Sequence, residues 1–246
     1  MKHKTSIIFG IHPVQEAVKS GKPIDKVMLK QGFRMESIQG LLPFLRQQNI
    51  PFQYVPVEKL NRLTTKNHQG IIAIVSELEY TELDKLVPLL FEQGKVPAIA
   101  VLDSITDVRN MGAIARSAEC AGFDALIVPM KGTAQINAEA VKSSAGALSI
   151  IPVCRVNSLA DTLNFLHESG LHIIAATEKA QDDIYSADLT QPLAVILGAE
   201  DTGIDPALLR IADRLVKIPI LGKIQSLNVS AAAAVIFFET VRQRKK

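Results

Sequence analysis

This chain of 246 residues lacks long apolar runs and any segment typical of an exported protein. Only residues 7–9 are apolar between the polar start and Gly10, which is too short for the apolar core of a signal peptide. No apolar run reaches the roughly 18 residues that a membrane span needs. We therefore expect a soluble, cytoplasmic protein with no membrane partner.

Cysteine is scarce, and neither cysteine nor histidine is spaced for metal binding. Cys120 and Cys154 are the only cysteines, each within an apolar stretch, which indicates buried thiols in a reducing compartment rather than a disulfide. The histidines are His3, His12, His68, His167 and His172. Because none of them stands at ligand spacing from another or from a cysteine, we expect no metal site.

Two common nucleotide-binding loops are absent as well. Gly198 and Gly203 follow an apolar run, but Ile204 and Asp205 stand where a P-loop has Lys followed by Ser or Thr. No G-x-G-x-x-G follows a strand-like run anywhere in the chain. The usual loop of dinucleotide-binding folds and of class-I methyltransferases is therefore missing.

The charge is distributed unevenly along the chain. Residues 1–76 contain eleven Lys or Arg against four acids, a net charge of +7, whereas residues 77–246 carry −5. A basic part joined to a slightly acidic part is typical of a protein whose first part binds nucleic acid and whose second part performs chemistry. A solvated basic surface without a partner is the alternative on charge alone.

Alternating short elements predict a small α/β domain over residues 1–76. We expect helices at 13–18, 35–48 and 57–63, and strands at 26–29, 52–55 and 71–75. Residues 77–96 read as a linker and a connecting helix, which Thr81 caps and which runs to Gln93.

A second domain is predicted over residues 97–246. Apolar runs recur at 98–102, 125–128, 151–153, 172–176, 193–197 and 215–218. These runs are apolar throughout rather than alternating, as strands are when both faces of their sheet are covered. The pattern predicts an α/β fold with a parallel sheet and helices on each side.

Three polar stretches stand next to these predicted strands. Asn110, Gly112 and Arg116 follow the first strand, Gly198, Glu200 and Gly203 follow the fifth, and Ser226, Asn228 and Ser230 precede an Ala-rich terminal helix. Asn110 is placed to start a helix whose first turn includes Gly112. Taken singly, each stretch can also be read as a helix cap, a surface ion pair or an exposed turn.

In this order the three stretches resemble the SpoU branch of the SPOUT RNA methyltransferases, over the whole of residues 97–246. The matching positions are Asn110, Gly112, Arg116, Gly198, Glu200, Gly203, Ile218, Pro219, Gly222, Ser226, Leu227, Asn228, Val229 and Ser230. One departure is Val108, where the family usually has proline.

The N-terminal part has a resemblance of its own. Residues 9–17 and the turn Asn67-His68-Gln69-Gly70 resemble the ribosomal-protein-like RNA-binding domain of the subgroup that methylates a guanosine ribose in 23S ribosomal RNA.

The resemblance implies a C-terminal parallel-sheet SPOUT domain with a deep C-terminal trefoil knot, plus a small N-terminal α/β RNA-binding domain over residues 1–76. It implies S-adenosyl-L-methionine as the cofactor, bound at Thr177, Gly198, Gly203, Ile218 and Leu227. The main-chain groups of Gly198, Ile218 and Leu227 are expected to make most of the contacts. It also implies a homodimer with the active site near the interface, for which the apolar terminal helix over residues 231–238 offers a face.

The catalytic residues implied by the resemblance are Asn110, Arg116, Glu200, Ser226 and Asn228. Because a guanidinium with a pKa above about 12 is a poor base at neutral pH, we interpret Arg116 as a group that positions the ribose and stabilises charge, with Asn110 fixing its geometry. Glu200, Ser226 and Asn228 are expected to orient Arg116, the ribose or the methionine end of the cofactor.

The expected partner is ribosomal RNA, contacted by His12, His68 and Arg116, and the expected reaction is 2′-O-methylation of a guanosine in 23S ribosomal RNA. Two alternatives stay open at this point. One is a transfer-RNA ribose methyltransferase of the same branch, and the other is a non-catalytic RNA-binding protein that keeps the fold.

Overall fold

The computed structural model of the chain describes residues 6–33, 40–48 and 50–245. The chain divides into two compact units between Glu79 and Tyr80. Among the residues so described, no helix is both long enough and apolar enough to cross a membrane.

The first unit is built around a four-stranded sheet with strand order β1-β4-β2-β3. Strands β2 and β3 are parallel, and the other two pairs are antiparallel. The elements are β1 Ile7–Phe9, α1 Ile11–Lys19, β2 Ile24–Lys30, α2 Leu41–Gln47, β3 Phe52–Val55, α3 Val57–Asn61 and β4 Ile71–Val75.

Helices pack on both faces of this sheet, fully on the α1 and α2 side and only in part on the α3 side. Val27 and Leu29 on β2 pack in a cluster with α1 and α2. Met28, which points to the opposite face, packs with Ile72 on β4 and Leu60 on α3. The predicted small α/β domain is therefore confirmed. The three-residue β1 was not predicted, and the first part of the predicted helix 35–48 lies outside the described residues.

The second unit contains a seven-stranded sheet with strand order β7-β6-β5-β10-β8-β11-β9. Every neighbouring pair in it is parallel. The strands are β5 Ala98–Leu102, β6 Ala125–Pro129, β7 Val153–Val156, β8 His172–Ala176, β9 Asp182–Asp183, β10 Leu193–Leu197 and β11 Arg214–Lys217.

The described helices form a layer on each face of this sheet. They are α4 Leu83–Glu92, α5 Val108–Cys120, α6 Ala138–Ser143, α7 Leu159–Glu168, α8 Pro206–Ile211 and α9 Val229–Arg244. Helices α4, α7 and α8 share one core cluster with alternate residues of the strands. The remaining strand residues, such as Ala100 and Val195, are also fully buried, and α5 and α9 pack together over them. The ring centroids of Phe123 and Phe237 are 4.2 Å apart in that second layer.

The predicted parallel sheet with helices on both sides is therefore confirmed, with three local corrections. The strand predicted at 151–153 is observed as β7, Val153–Val156, so the prediction began two residues too early. Strand β9 was not predicted. Thr81 does not cap α4. Its N–H donates to the carbonyl of Val153 at 2.9 Å, and Glu82 is the residue before the helix.

Helix α5 begins earlier than the sequence predicted. Asp107 is its N-cap, and one carboxylate oxygen accepts the N–H groups of Arg109 at 2.7 Å and Asn110 at 3.1 Å. Asn110 therefore lies in the first turn rather than at the start of the helix. Val108 occupies the first helical position, so α5 starts there without the proline that the family pattern has.

We expect Asp107→Ala to lower the thermal unfolding temperature at neutral pH, and to have less effect in acid. The N–H groups of Asn110 and Arg109 lower the pKa of Asp107, so the folded chain binds this proton more weakly than the unfolded chain does. The cap therefore stabilises the protein above the ordinary carboxyl pKa, and its contribution is lost as the pH falls through the lowered folded value. Thermal unfolding at several pH values measures this. Asp107→Asn, which keeps a neutral acceptor, is the control, and equal unfolding temperatures of Asp107→Ala and the wild type at neutral pH would contradict the prediction.

Candidate active site

An open pocket lies at the edge of the second unit where the parallel strands end. Strands β5 and β10 are adjacent, but the chain continues from β5 into α5 on one face of the sheet and from β10 into α8 on the other face. Open α/β sheets bind ligands at such a switch point. The pocket has a volume of about 730 Å³, including solvent at its mouth. Its walls are formed by residues 176–178, 197–200, 203–204, 216–218, 220 and 225–227, and by Val229, Ala232 and Ile236 of α9.

All five predicted cofactor positions line this pocket. They are Thr177, Gly198, Gly203, Ile218 and Leu227. They come from the loops after β8, β10 and β11 and from the residue before the N-cap of α9. Their common location is a structural fact, and their role as ligands stays a prediction.

The loop after β10 is closely folded back on itself, which explains its two glycines. A Cβ on Gly198 would lie 2.3 Å from the carbonyl carbon of Gly203 and 2.4 Å from the nitrogen of Ile204. The N–H of Gly203 donates to the carbonyl of Ala199 at 2.9 Å, and Gly203 has a φ of 71°. Gly198 is thus required by space and Gly203 by backbone conformation.

Three of the predicted catalytic side chains form one hydrogen-bonded network, and one of them, Glu200, lines the pocket. Asn110 Nδ2 donates to Glu200 Oε1 at 3.1 Å, and Asn228 Nδ2 donates to Asn110 Oδ1 at 3.1 Å. Asn228 Nδ2 also donates to Glu200 Oε1, which further accepts the N–H of Val229 at 3.3 Å. We call Asn110, Glu200 and Asn228 the amide–carboxylate network. It joins α5, the loop after β10 and the start of α9.

Asn228 has a second function as the N-cap of α9. Its Oδ1 accepts the N–H of Ser230 at 3.0 Å and the hydroxyl of Ser230 at 2.5 Å. Ser230 was recognised as part of the motif but not as a site residue. The signal for its role is its position two residues after a capping Asn, because a cap accepts from this position.

The remaining two predicted catalytic residues behave differently. Ser226 lines the pocket. Arg116 is exposed on α5 and is not one of the described residues that line the pocket. Arg116 follows Asn110 by six residues, which is about one and two-thirds turns of helix. The two side chains therefore lie on different sides of α5. The expectation that Asn110 fixes Arg116 is wrong within one chain, because the amide of Asn110 bonds to Glu200 and Asn228.

Sequence reasoning missed two charged residues of the pocket. Glu178 and Lys217 both line it. Glu178 follows β8 by two residues, and Lys217 is the last residue of β11. The signal that could have identified them is their position at the carboxyl ends of predicted strands.

A buried carboxylate that was also missed supports the loop after β10. Asp103 is 7% exposed at the end of β5. Its Oδ2 accepts the N–H of Asp205 at 2.8 Å, and its Oδ1 accepts the hydroxyl of Ser104 at 3.0 Å. The N–H of Asp103 donates to the carbonyl of Leu197 at 2.8 Å. Asp103 therefore fixes both ends of the loop that carries Glu200 to the end of β5.

The two histidines predicted to contact RNA have different environments in the first unit. His12 is exposed on α1. His68 is 9% exposed, its Nδ1 accepts the N–H of Gly70 at 3.0 Å, and its Nε2 is 2.9 Å from Asn61 Oδ1. Because Nδ1 accepts, we infer that Nε2 carries the proton and donates to Asn61. With both ring nitrogens bonded, His68 stabilises the turn, and contact of His12 and His68 with RNA stays a prediction.

The two N-terminal stretches that resembled an RNA-binding domain meet in space. Gln69 Oε1 accepts the N–H of Ile11 at 2.9 Å, which satisfies a free donor at the start of α1. Gln69 has a φ of 52°, and a Cβ on Gly10 would lie 3.2 Å from its Oε1. In the described part of the chain, no group of three or more His, Cys, Asp or Glu side chains could hold a metal ion.

The fold and the pocket define a class of protein. A parallel sheet whose carboxyl edge holds an open pocket, lined by the loop after β10 and by the segment before the last helix, is the arrangement expected of the SPOUT methyltransferases. The pattern of the SpoU rRNA Methylase family matches residues 97–238, and that of an RNA 2′-O ribose methyltransferase substrate-binding domain matches residues 7–81. The chain belongs to the SpoU family of RNA methyltransferases.

Relatives agree with this assignment along nearly the whole chain. YacO of Bacillus subtilis (strain 168), assigned to the TrmH family of tRNA/rRNA methyltransferases, is 32% identical over 99% of this chain and 98% of its own. The SpoU methyltransferase AviRb of Streptomyces viridochromogenes, solved in complex with the cofactor AdoMet, is 26% identical. Its TM-score is 0.62, over 97% of this chain and 90% of that one.

A shorter structural neighbour is the TrmH/SpoU tRNA modifying enzyme of A. aeolicus, which is 27% identical. Its TM-score is 0.56, over 66% of this chain and 84% of that one.

Proposed function

We propose that this protein transfers a methyl group from S-adenosyl-L-methionine to the ribose 2′-hydroxyl of a guanosine in 23S ribosomal RNA. The observation that carries the proposal is the pocket at the strand ends, which all five expected cofactor positions line, together with Glu200 of the amide–carboxylate network.

The residues of the pocket suit this cofactor. Apolar side chains such as Ile218 and Leu227 fit its adenine ring, while Glu178, Glu200 and Lys217 fit its sulfonium, amino and carboxylate groups. When bound, the cofactor supplies a methyl group on a positively charged sulfur. The neighbour AviRb, with AdoMet in its own structure, supports the same choice.

The amide–carboxylate network holds the active-site loops in place rather than reacting itself. The Asn110 and Asn228 amides donate to Glu200 and to each other, and Asn228 also caps α9. Glu200 Oε1 accepts from three N–H groups. This leaves Ser226, which lines the pocket, to contact the ribose or the methionine end of the cofactor. Preorganised groups of this kind lower the barrier to an in-line displacement by orientation.

We further propose that the working form is a homodimer in which Arg116 serves the pocket of a second copy. Arg116 is exposed and outside the pocket of its own chain. The segment before α9, which forms one wall of the pocket, exposes Leu221 fully and Ile224 to 78%. Exposed apolar side chains beside a pocket are typical of an interface. In that arrangement Arg116 positions the 2′-hydroxyl and an adjacent phosphate.

The domain roles follow from this proposal. Residues 1–76 bind the substrate RNA, residues 77–96 connect, and residues 97–246 bind the cofactor and carry the chemistry. The deep trefoil knot of the C-terminal segment stays a prediction from the family resemblance.

Ribosomal RNA is favoured over transfer RNA by the extent of the chain. The tRNA modifying enzyme of A. aeolicus covers 66% of this chain, a share close to the size of the second unit alone. The additional basic unit matches a substrate-binding domain. A separate RNA-binding domain suits a long, structured substrate in which one nucleotide must be found.

We expect cells that lack this gene to lose one 2′-O-methylguanosine from 23S ribosomal RNA. Nucleotide-resolution mapping of ribose methylation with and without the gene measures this, and the same RNA samples include transfer RNA. Re-introducing the gene should restore the mark, whereas its Arg116→Ala form should not. A lost mark in transfer RNA with unchanged ribosomal RNA would reject the 23S assignment and favour the transfer-RNA alternative.

A further inference from the structure

The basic residues of the first unit are concentrated on the α3 side of its sheet. Of the eight Lys and Arg described up to residue 76, five lie at alternate positions of β2, on α3 or just after it. These five are Lys26, Lys30, Lys59, Arg62 and Lys66. Glu58 is the acid described on this side, and the other three bases belong to α1, α2 or the turn after α1.

The floor between these cations is apolar and only partly covered. Strand register places Phe9, Ile72 and Met28 side by side on this face. Two residues along the strands, Ile7 and Lys26 lie on either side of Ile74. Helix α3 has only five residues and covers the face through Leu60. Ile7 and Phe9 on the edge strand β1 therefore stay partly exposed. Lys66 Nζ lies 5.9 Å from the centroid of the Phe9 ring.

The cations of this face have no acidic partners in the described part of the chain. None of the five forms a salt bridge with a described Asp or Glu. Burial, together with the nearby ammonium group of Lys59, lowers the pKa of Lys26, against a smaller opposite effect of Asp25. Two neighbouring ammonium groups whose repulsion exceeds the opposing effect of Asp25 are stabilised when an anion binds between them.

We propose that the substrate RNA lies across this surface, the lysine face, which consists of Lys26, Lys30, Lys59, Arg62 and Lys66 around Ile7 and Phe9. The phosphates of an unpaired strand contact the cations, and its bases lie on the partly exposed apolar floor. RNA fits this surface because unpaired strands offer phosphates and exposed base faces together. The inference rests on the proposed function in that it takes RNA as the substrate, and it names a face that includes neither His12 nor His68.

Two matched double variants test the lysine face. Lys26→Met with Lys59→Gln removes two of its cations, and Lys19→Gln with Lys22→Gln removes two cations of the same unit outside it. Binding of a 23S ribosomal RNA transcript is measured by filter retention over a series of KCl concentrations. We expect the slope of log affinity against log salt to fall in magnitude by about 1.4 in the lysine-face variant, because each phosphate contact on a single strand contributes about 0.7, and the affinity to fall about tenfold. The control should keep the wild-type slope.

Further measurements separate this inference from the proposed function. Affinity for S-adenosyl-L-methionine should stay at the wild-type value in both variants, while the KM for RNA rises in the lysine-face variant alone. A wild-type slope in the lysine-face variant, or an equal loss in the control, overturns the inference. If circular dichroism shows that Lys26→Met unfolds the unit, Arg62→Gln with Lys66→Gln takes its place under the same criteria.

The wild-type protein provides the last distinction. If it binds ribosomal RNA with the expected slope but transfers no methyl group, the proposed function fails while the lysine face stands. If it binds neither the 23S transcript nor total transfer RNA, the lysine face is overturned.

Discussion

Arg116→Ala should reduce single-turnover methyl transfer by roughly 10²–10³-fold while leaving affinity for S-adenosyl-L-methionine unchanged. The reason is that Arg116 lies outside the pocket of its own chain, so its removal leaves the cofactor site intact. Rapid-quench kinetics with saturating RNA measures the first quantity, and titration calorimetry measures the second. An unchanged single-turnover rate would show that Arg116 has no part in the chemistry.

Mixing two inactive variants tests whether Arg116 acts across a dimer. Asn228→Ser keeps a side chain that can cap α9 but removes the amide donor to Glu200 and Asn110. In a mixed dimer of this variant with Arg116→Ala, one site combines an intact pocket with an intact arginine. Random mixing should therefore restore about a quarter of the wild-type activity. If Arg116 serves its own pocket, no mixed dimer contains a complete site and the mixture stays inactive.

Gly198→Ala should abolish cofactor binding and destabilise the second unit by about 1–3 kcal/mol. An alanine Cβ would meet the main chain of Gly203 and Ile204 at 2.3 to 2.5 Å, and no side-chain rotation can relieve a clash with backbone. The loop after β10 must then move, which displaces Glu200 from the amide–carboxylate network. Calorimetric titration with S-adenosyl-L-methionine and thermal unfolding measure the two effects.

Gly222→Ala is the matched control for Gly198→Ala. Gly222 belongs to the segment before α9, but a Cβ there would have nothing within 4 Å. Its stability should change by no more than about 0.5 kcal/mol. If both variants bind the cofactor like the wild type, the close contact of the loop after β10 does not shape the pocket.

The central strands could be predicted from the sequence because they are buried on both faces. Runs such as β5 and β10 are apolar at every position, and each lies within the predicted bounds. The edge strands were the ones missed or misplaced. Strand β9 consists of Asp182 and Asp183, and β7, which contains Arg155, was placed two residues early at 151–153. An edge strand needs no continuous apolar run, so its signal in the sequence is weaker.

The sequence predicted which residues form the site, but not which of them hydrogen-bond to each other. Polar residues after parallel strands gather at one edge, and this rule alone brings Asn110 and Glu200 together. The contact between Asn110 and Asn228 joins positions 118 residues apart, and no local pattern encodes it. The location of Arg116 could have been inferred from helical phase. The bonded state of His68 depends on Asn61 in the neighbouring helix, which spacing alone does not reveal.

The most direct test of the account is methyl transfer in a purified system. The protein is incubated with 23S ribosomal RNA transcript and S-adenosyl-L-methionine that carries an isotope-labelled methyl group, and the digested nucleosides are analysed by mass spectrometry. We expect labelled 2′-O-methylguanosine as the single product. Label on a base, or no labelled nucleoside with either ribosomal or transfer RNA, would contradict it.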